Sequence, residues 1–232
     1  MRAGIIAAGE GSRLAAAVPG LPKPLIPVAG RPLAHWVVDG LAAAGAGSVT
    51  VLTNSRGGEV APSLARAFPA LAFDPLTADT ASSFESFRLV CLRLAETEEA
   101  FLVSTTDALI APSETARFWR ECRDSSAEAG LALTAFVADE KPLWADLGKD
   151  GRVTALGAAA REKSAVTCGL YFMTRAAAKR LPAADSHRRL RDFLASQAAA
   201  GRVYGVLLAK TLDVDRPEDL AAAETFLTET TR

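Results

Sequence analysis

Apolar and polar positions along this chain switch repeatedly between two periods. Short apolar runs are followed by stretches with helical spacing. Residues 2–8 form the first run, end in glycine at position 9, and read as a buried strand. Residues 33–44 have helical spacing and close on Gly45. SVTVLT at 48–53 alternates as a strand does, residues 58–67 suit a helix, and 70–74 suit a short strand. The next helix starts at Thr80 or Ser82, either of which has a side chain able to cap it. It runs to Leu94, with apolar positions at 84, 87, 91 and 94. A strand at 101–104, a helix capped by Ser113 and running to Cys122, and a strand at 131–137 follow. Residues 138–165 lack long periodicity and carry Lys149-Asp150-Gly151, a hairpin-type turn between two weak strands. The remainder reads as a strand at 166–173, helices at 175–181 and 188–199, a strand at 203–208, and a helix at 217–227 with proline in its first position.

Strands separated by helices imply a mostly parallel sheet with both faces covered. The expected fold is therefore α/β: three layers, α/β/α, around a Rossmann-like twisted sheet. One domain over residues 1–232 is the economical expectation, with the 138–165 insertion as a small lobe at its edge. Residues 9–32 break the alternation. They form a long connection punctuated by Gly9, Gly11, Pro19, Gly20, Pro22, Pro24, Pro27, Gly30 and Pro32. Connections of this length inside a compact domain are usually functional.

Composition narrows the function. Half of the residues are hydrophobic, so a chain of 232 residues can bury a large core without staples. A formal net charge of −1 argues against a broad basic surface, so no nucleic-acid partner is expected. No segment reaches about 18 uninterrupted apolar residues, so no membrane partner is expected either. The three cysteines, Cys91, Cys122 and Cys168, are widely spaced and include no Cys-x-x-Cys, and the two histidines are His35 and His187. A disulfide scaffold and a structural zinc site are both disfavoured, and a reducing cytoplasm is the expected location. Nothing in the sequence signals self-association.

The turn after the first strand reads Gly9-Glu10-Gly11-Ser12-Arg13-Leu14. A dinucleotide fingerprint needs a third small residue where Leu14 stands, and an acid at the end of the second strand, where Asn54 stands. The Gly-Lys-Ser/Thr of a phosphate loop is absent. Taken alone, Gly-x-Gly after a strand is as often a plain turn. The wider stretch, IAAGEGSRLAAAVPGLPKPLIPVAGRPL at 6–33, is more specific. With Gly9, Gly11, Arg13, Pro22, Lys23, Leu25, Gly30 and Pro32 in order, it resembles the signature loop of the nucleotidyltransferases that make NDP-sugars and related CDP-alcohols.

That resemblance implies a chemistry. A phosphate oxygen of an acceptor attacks the α-phosphate of an NTP and pyrophosphate leaves. Both reactants are anionic, so positive charge and backbone N–H donors must converge. Gly9 and Gly11 let the backbone approach the triphosphate. Arg13 suits a bidentate grip on the β- and γ-phosphates, and Lys23, stiffened by Pro24, suits a point charge near the α-phosphate. Ala7, Ala8, Gly9, Gly11 and Ser12 would line the nucleotide. Asp79, Thr80 and Ser82 resemble the second base-contacting loop, although an ordinary helix cap explains them as well.

Such transfers usually use Mg²⁺, which takes carboxylate oxygens and water. The resemblance assigns the metal to Asp107, after the apolar run FLVSTT, and to the late segment Asp213-Val214-Asp215. Period-two spacing puts Asp213 and Asp215 on one side of an extended strand, and Asp215 is the preferred ligand of the two. The chain departs from the family in having Thr106, not glycine, before Asp107, and Thr211, not tryptophan, two residues before Asp213. Residues 138–173 would form the acceptor side. There Lys163, in Arg161-Glu162-Lys163-Ser164, would meet the acceptor phosphate and Gly169 would let the acceptor approach. The partners expected are thus an NTP and a phosphorylated small molecule, a sugar 1-phosphate or a phospho-alcohol. The run Arg188-Arg189-Leu190-Arg191 reads as a solvated helix face, and His35 as structural. A metal-dependent glycosyltransferase using Asp213-Val214-Asp215, and a non-catalytic nucleotide-binding relative, are the competing readings. A molybdopterin-type guanylyltransferase is a close variant of the first.

Overall fold

The computed structural model of the chain describes residues 1–9, 11, 14, 18, 20–137 and 142–230. The first half runs β1 (Arg2–Ala7), β2 (Pro27–Val28), β3 (Arg31–Pro32), α1 (Leu33–Ala43), β4 (Ser48–Thr53), α2 (Val60–Ala67), β5 (Ala72–Thr77), α3 (Ser83–Ala95), β6 (Ala100–Thr105), β7 (Ala108–Ile110) and α4 (Pro112–Asp124). The second half runs β8 (Ala129–Thr134), β9 (Trp144–Leu147), β10 (Val153–Leu156), β11 (Ala165–Thr174), α5 (Arg175–Lys179), α6 (Leu190–Ala199), β12 (Val203–Leu208), β13 (Thr211–Asp213) and α7 (Asp219–Thr230).

The central strands are parallel: β5 pairs β4, β4 pairs β1, and β1 pairs β6. The long strand β11 then runs antiparallel between β6 and β8, and β12 is parallel to β8. The β9–β10 pair, inside the stretch where the sequence predicts two weak strands, joins the same sheet through the start of β11.

Period-two alternation builds the three layers. On β1, Ala3, Ile5 and Ala7 face a core shared with Ala34, Val38 and Leu41 of α1 and Phe118 and Cys122 of α4. On β6 and β11, Phe101, Val103, Tyr171 and Met173 face the other side, against Phe84, Phe87 and Cys91 of α3 and Leu190, Phe193 and Leu194 of α6. Cys91 is fully buried there, as its helical spacing with Phe84, Phe87 and Leu94 predicts. A third apolar cluster joins Leu14, Ile26 and Val28 to Leu109, Leu212, Val214 and Phe226. It fastens the long N-terminal connection to β7, β13 and α7. All three cysteines are free and buried.

Several boundaries differ from the sequence pattern for local reasons. The strand predicted at 131–137 ends at Thr134, whose Oγ1 donates to the Ala209 carbonyl at 2.7 Å and accepts the Phe136 N–H at 3.1 Å. The strand predicted at 70–74 is 72–77, because residue 71 closes the turn after α2 and pairing with β4 continues to Thr77. Helix α4 is capped at Ala111, not Ser113, since Pro112 occupies the first turn, where its fixed φ and missing N–H cost nothing. Helix α7 starts at Asp219, not Pro217; the Asp219 carboxylate accepts the N–H groups of Asp215 and Arg216, both at 2.8 Å.

Edge strand β5 is tied to the sheet by charge. Asp74 accepts from Arg2 at 2.7 Å, from Arg93 at 2.9 and 3.2 Å, and from Thr50 at 3.2 Å. Its carboxyl lies below the ordinary value of 3.8, chiefly through the Arg93 hydrogen bonds, which outweigh burial. A depressed carboxylate stabilises the fold fully above the unfolded value, and that stability disappears as pH falls through the folded value. Asp74→Asn should therefore cost about 1–2 kcal/mol at neutral pH. Urea titrations of both proteins should show the difference shrinking below about pH 4; a constant difference down to pH 2.5 would refute the ion-pair account.

Candidate active site

The functional side chains gather where β1 and β6 end. Strand β1 delivers Ala7, Ala8 and Gly9 beside Asn54, whose Nδ2 donates to the Ala8 carbonyl at 3.1 Å. Asn54 also accepts the Arg56 N–H at 3.0 Å, so it holds both neighbouring turns at once. A Cβ added at Gly9 meets no atom of the described residues within 4 Å. Ser12 and Arg13, both expected at the phosphates, lie outside the described residues.

Gly11 has φ +54°, and a Cβ there would sit 2.5 Å from Lys23 Cβ and 2.8 Å from Lys23 Cδ. The glycine loop thus rests directly on the lysine stem. Lys23 itself stands in a single 3₁₀ turn, Lys23–Leu25, and is 7% exposed. Its Nζ donates to Asp107 Oδ2 at 2.9 Å and to Asp215 Oδ1. Burial works against the ammonium, but the two carboxylates outweigh it and hold the lysine above its ordinary value. Burial likewise opposes ionised Asp107, and the Lys23 charge with the Thr105 hydroxyl brings its carboxyl below the usual range.

The two acids meet through β7 and β13. Ala108 pairs with Asp213 and Leu109 with Leu212, and the Val214 N–H donates to the Asp107 carbonyl at 3.0 Å. Thr106, just before Asp107, is buried. Of the two late acids, Asp215 faces Lys23. Asp213 faces a neighbouring cleft.

That cleft, of about 280 Å³, is lined by Thr105, Asp107 and Asp213, by Gly169, and by Arg189 and Arg191 of the loop into α6 and its first turn. Tyr171 also lines it. Burial raises the Tyr171 hydroxyl far above the ordinary phenol value, Asp107 and Asp213 add to the shift, and Arg191 acts against it. Gly169 is demanded by the protein itself. Its φ is +74°, and a Cβ would lie 2.4 Å from Thr105 Oγ1 and 3.0 Å from Ala108 Cβ.

Other predicted residues are engaged locally. Asp79 accepts the Ser55 N–H at 2.9 Å, Thr80 and Ser86 share a hydroxyl hydrogen bond at 2.6 Å, and Ser82 caps α3 by accepting the Glu85 N–H at 3.0 Å. This loop lies beside Asn54 and hence beside Ala8. Lys163 is not among the residues that line the cleft. Its backbone has φ +49°, its N–H donates to Asp146 Oδ1 at 2.7 Å, and its Nζ lies 5.8 Å from the centre of the Trp144 ring. His35 bonds Ser63 at 3.1 Å and meets the edge of Phe68, a packing role.

The residues present fit a magnesium ion. Two carboxylates already converge on one cationic group, and Mg²⁺ commonly takes one or two carboxylates with phosphate oxygens and waters completing its shell. Asn54, Thr105 and Arg191 carry no sequence signal for this site. Only the folded arrangement brings them to it.

Comparison with known proteins bears on the family and the fold. The MobA-like NTP transferase domain, as a family, matches residues 3–201. The bifunctional protein GlmU of Sorangium cellulosum (strain So ce56) is 30% identical over 243 residues, covering 96% of this chain and 51% of that protein. The chain therefore spans about half the length of that relative. The inositol-1-phosphate CTP transferase from T. maritima superposes with a TM-score of 0.80 at 17% identity, over 100% of this chain and 96% of that one. UDP-glucose pyrophosphorylase complexed with UDP-glucose superposes with a TM-score of 0.77 at 17% identity, over 100% of this chain and 99% of that one. At such identities the likeness establishes the fold.

Proposed function

The chain belongs to the MobA-like NTP transferase family of nucleotidyltransferases, and from that premise we propose that it joins an NTP to a phosphorylated small molecule. The acceptor class is a sugar 1-phosphate or a phospho-alcohol. The observation that carries this reading is the buried ammonium of Lys23 set between Asp107 and Asp215, beside a cleft that also holds two arginines. A site built to turn over one neutral sugar has no need of so many opposed charges. A site that aligns two phosphorylated reactants does.

In the proposed reaction a non-bridging oxygen of the acceptor phosphate attacks the α-phosphorus of the NTP. The bond from that phosphorus to the oxygen bridging to the β-phosphate breaks, and pyrophosphate leaves with the electron pair. The acceptor oxygen is already anionic, so no general base is needed. Lys23 neutralises charge on the triphosphate, and Gly9 and Gly11 offer it their backbone N–H groups. Asp107, with Asp215 or Asp213, would hold Mg²⁺, which supplies Lewis-acid charge across the reacting phosphates. Asn54 fixes the Ala8 carbonyl at the base side, and the loop 79–82 flanks it. The glycosyltransferase and non-catalytic readings gain nothing from the relatives found.

The test is pyrophosphate release across the common NTPs and a panel of phosphorylated acceptors with Mg²⁺. Release is expected only when an NTP and a phosphorylated acceptor are both present. Sugar transfer from an NDP-sugar with no pyrophosphate formed would overturn the reading.

A further inference from the structure

Helix α6 opens on a pair of arginines that the reaction as described does not use. Its Leu190, Phe193 and Leu194 are 7, 4 and 5% exposed and anchor it to the core. Those positions, i, i+3 and i+4, make one buried face. The first turn is fixed further by Ser83, whose hydroxyl accepts the Leu190 N–H at 2.9 Å. Ser83 stands at the start of α3, so α6 is referenced to the same element that follows the 79–82 loop.

The two arginines then differ. Arg189 is bidentate to Asp192, at 2.9 Å through both Nε and Nη2. Arg191 lines the cleft and, among the described residues, has no hydrogen bond or ion pair. It acts electrostatically on Tyr171, on which Asp107 and Asp213 also act. The cleft thus holds carboxylates from the strand ends and one uncommitted guanidinium from a rigidly held helix.

We infer that Arg191 is the cleft's acceptor-recognition residue and that it binds the phosphate of the incoming acceptor. A guanidinium presents two parallel N–H groups to a phosphate and stays charged at any physiological pH. It can therefore hold the nucleophilic phosphate without protonating it. Arg191 thereby takes the part that the sequence resemblance implies for Lys163, whose ammonium lies over Trp144, whose loop is held by Asp146 and which is not among the residues that line the cleft. The assignment takes the acceptor's class from the transfer reading, but the binding itself is tested separately.

The experiment is calorimetric titration, without nucleotide, of hexose 1-phosphates, inositol 1-phosphate, glycerol 3-phosphate and their unphosphorylated parents. Wild type, Arg191→Ala, Arg191→Lys and Lys163→Ala are compared, with unchanged circular dichroism confirming their folds. At least one monoester should bind the wild type in preference to its parent alcohol. Arg191→Ala should weaken that binding about tenfold or more, Arg191→Lys less, and Lys163→Ala within about twofold. In steady state the acceptor KM should rise while the NTP KM holds. The assignment is overturned if no monoester binds the wild type, if Arg191→Ala binds it equally well, or if Lys163→Ala is the variant that loses it. Monoester binding through Arg191 with no pyrophosphate from any NTP would instead sink the transfer reading and leave this assignment standing.

Discussion

Lys23→Met is expected to lower kcat by about 10²–10³-fold, the usual effect of deleting one preorganised charge from a site where anionic charge is redistributed. Three roles meet at this side chain. In the proposed reaction it neutralises the triphosphate; in the fold it balances Asp107 and Asp215, and its stem lies against Gly11. Removing it leaves two carboxylates facing each other without a counter-ion. Lys23→Arg keeps the charge but not the shape, because the guanidinium is larger and planar. It should recover little activity in a space already filled at Gly11. Asp107→Asn should lose a similar factor, and the double variant should lose much less than the product of the two, since both changes disable one constellation. Rapid-quench measurement of the first turnover gives the relevant rates. A Lys23→Met protein within tenfold of wild type would remove this lysine from the reaction.

The second large effect is expected at Gly169. Alanine there must adopt φ near +74° and place its Cβ 2.4 Å from Thr105 Oγ1. The left-handed conformation costs an L-residue about 1–2 kcal/mol, and forced overpacking adds about 1–3 kcal/mol. For a chain of this size the sum corresponds to a fall in Tm of roughly 4–20 °C. Activity should fall as well, because Thr105 and Ala108 flank Asp107 and must move. Thr105→Ala in the same background removes the obstructing hydroxyl and should restore part of the stability. Differential scanning calorimetry of the four proteins decides this. Simple additivity of the two substitutions would show that the contact is not the cause.

The fold was readable because its signals are local. The apolar runs at 2–8, 48–53 and 203–208 and the helical spacing of Phe84, Phe87, Cys91 and Leu94 need no knowledge of the rest of the chain. Lys23 and Asp107 stand out for another reason: each sits in a stretch that resembles a family motif, and the fold brings the two side chains together. Strands β7 and β13 were not readable. Three residues each is too short for a period to show, and their pairing is a contact between distant segments. A charged first turn such as that of Arg191, which is exposed, looks the same in sequence whether it faces water or a cleft. Only the docking of Leu190, Phe193 and Leu194 decides which. At Lys163 the motif fixes residue order but not side-chain direction. Here the buried carboxylate of Asp146, absent from the motif, sets the loop.

The pairing of β7 with β13 also sets a timetable. Lys23 and Asp215 are separated by 192 positions in the chain, and domains are made from their N-terminus onward. While synthesis proceeds, the glycine turn, the lysine and Asp107 all emerge long before the strand that completes them. Until then Lys23 has a single carboxylate partner, and the apolar surface of Leu109 and Leu14 lacks the cover later given by Leu212, Val214 and Phe226. The pair of carboxylates about Lys23 is therefore complete only once β13 has been made and has paired with β7. A ribosome-bound chain arrested before residue 211 should carry most of the sheet and none of the activity.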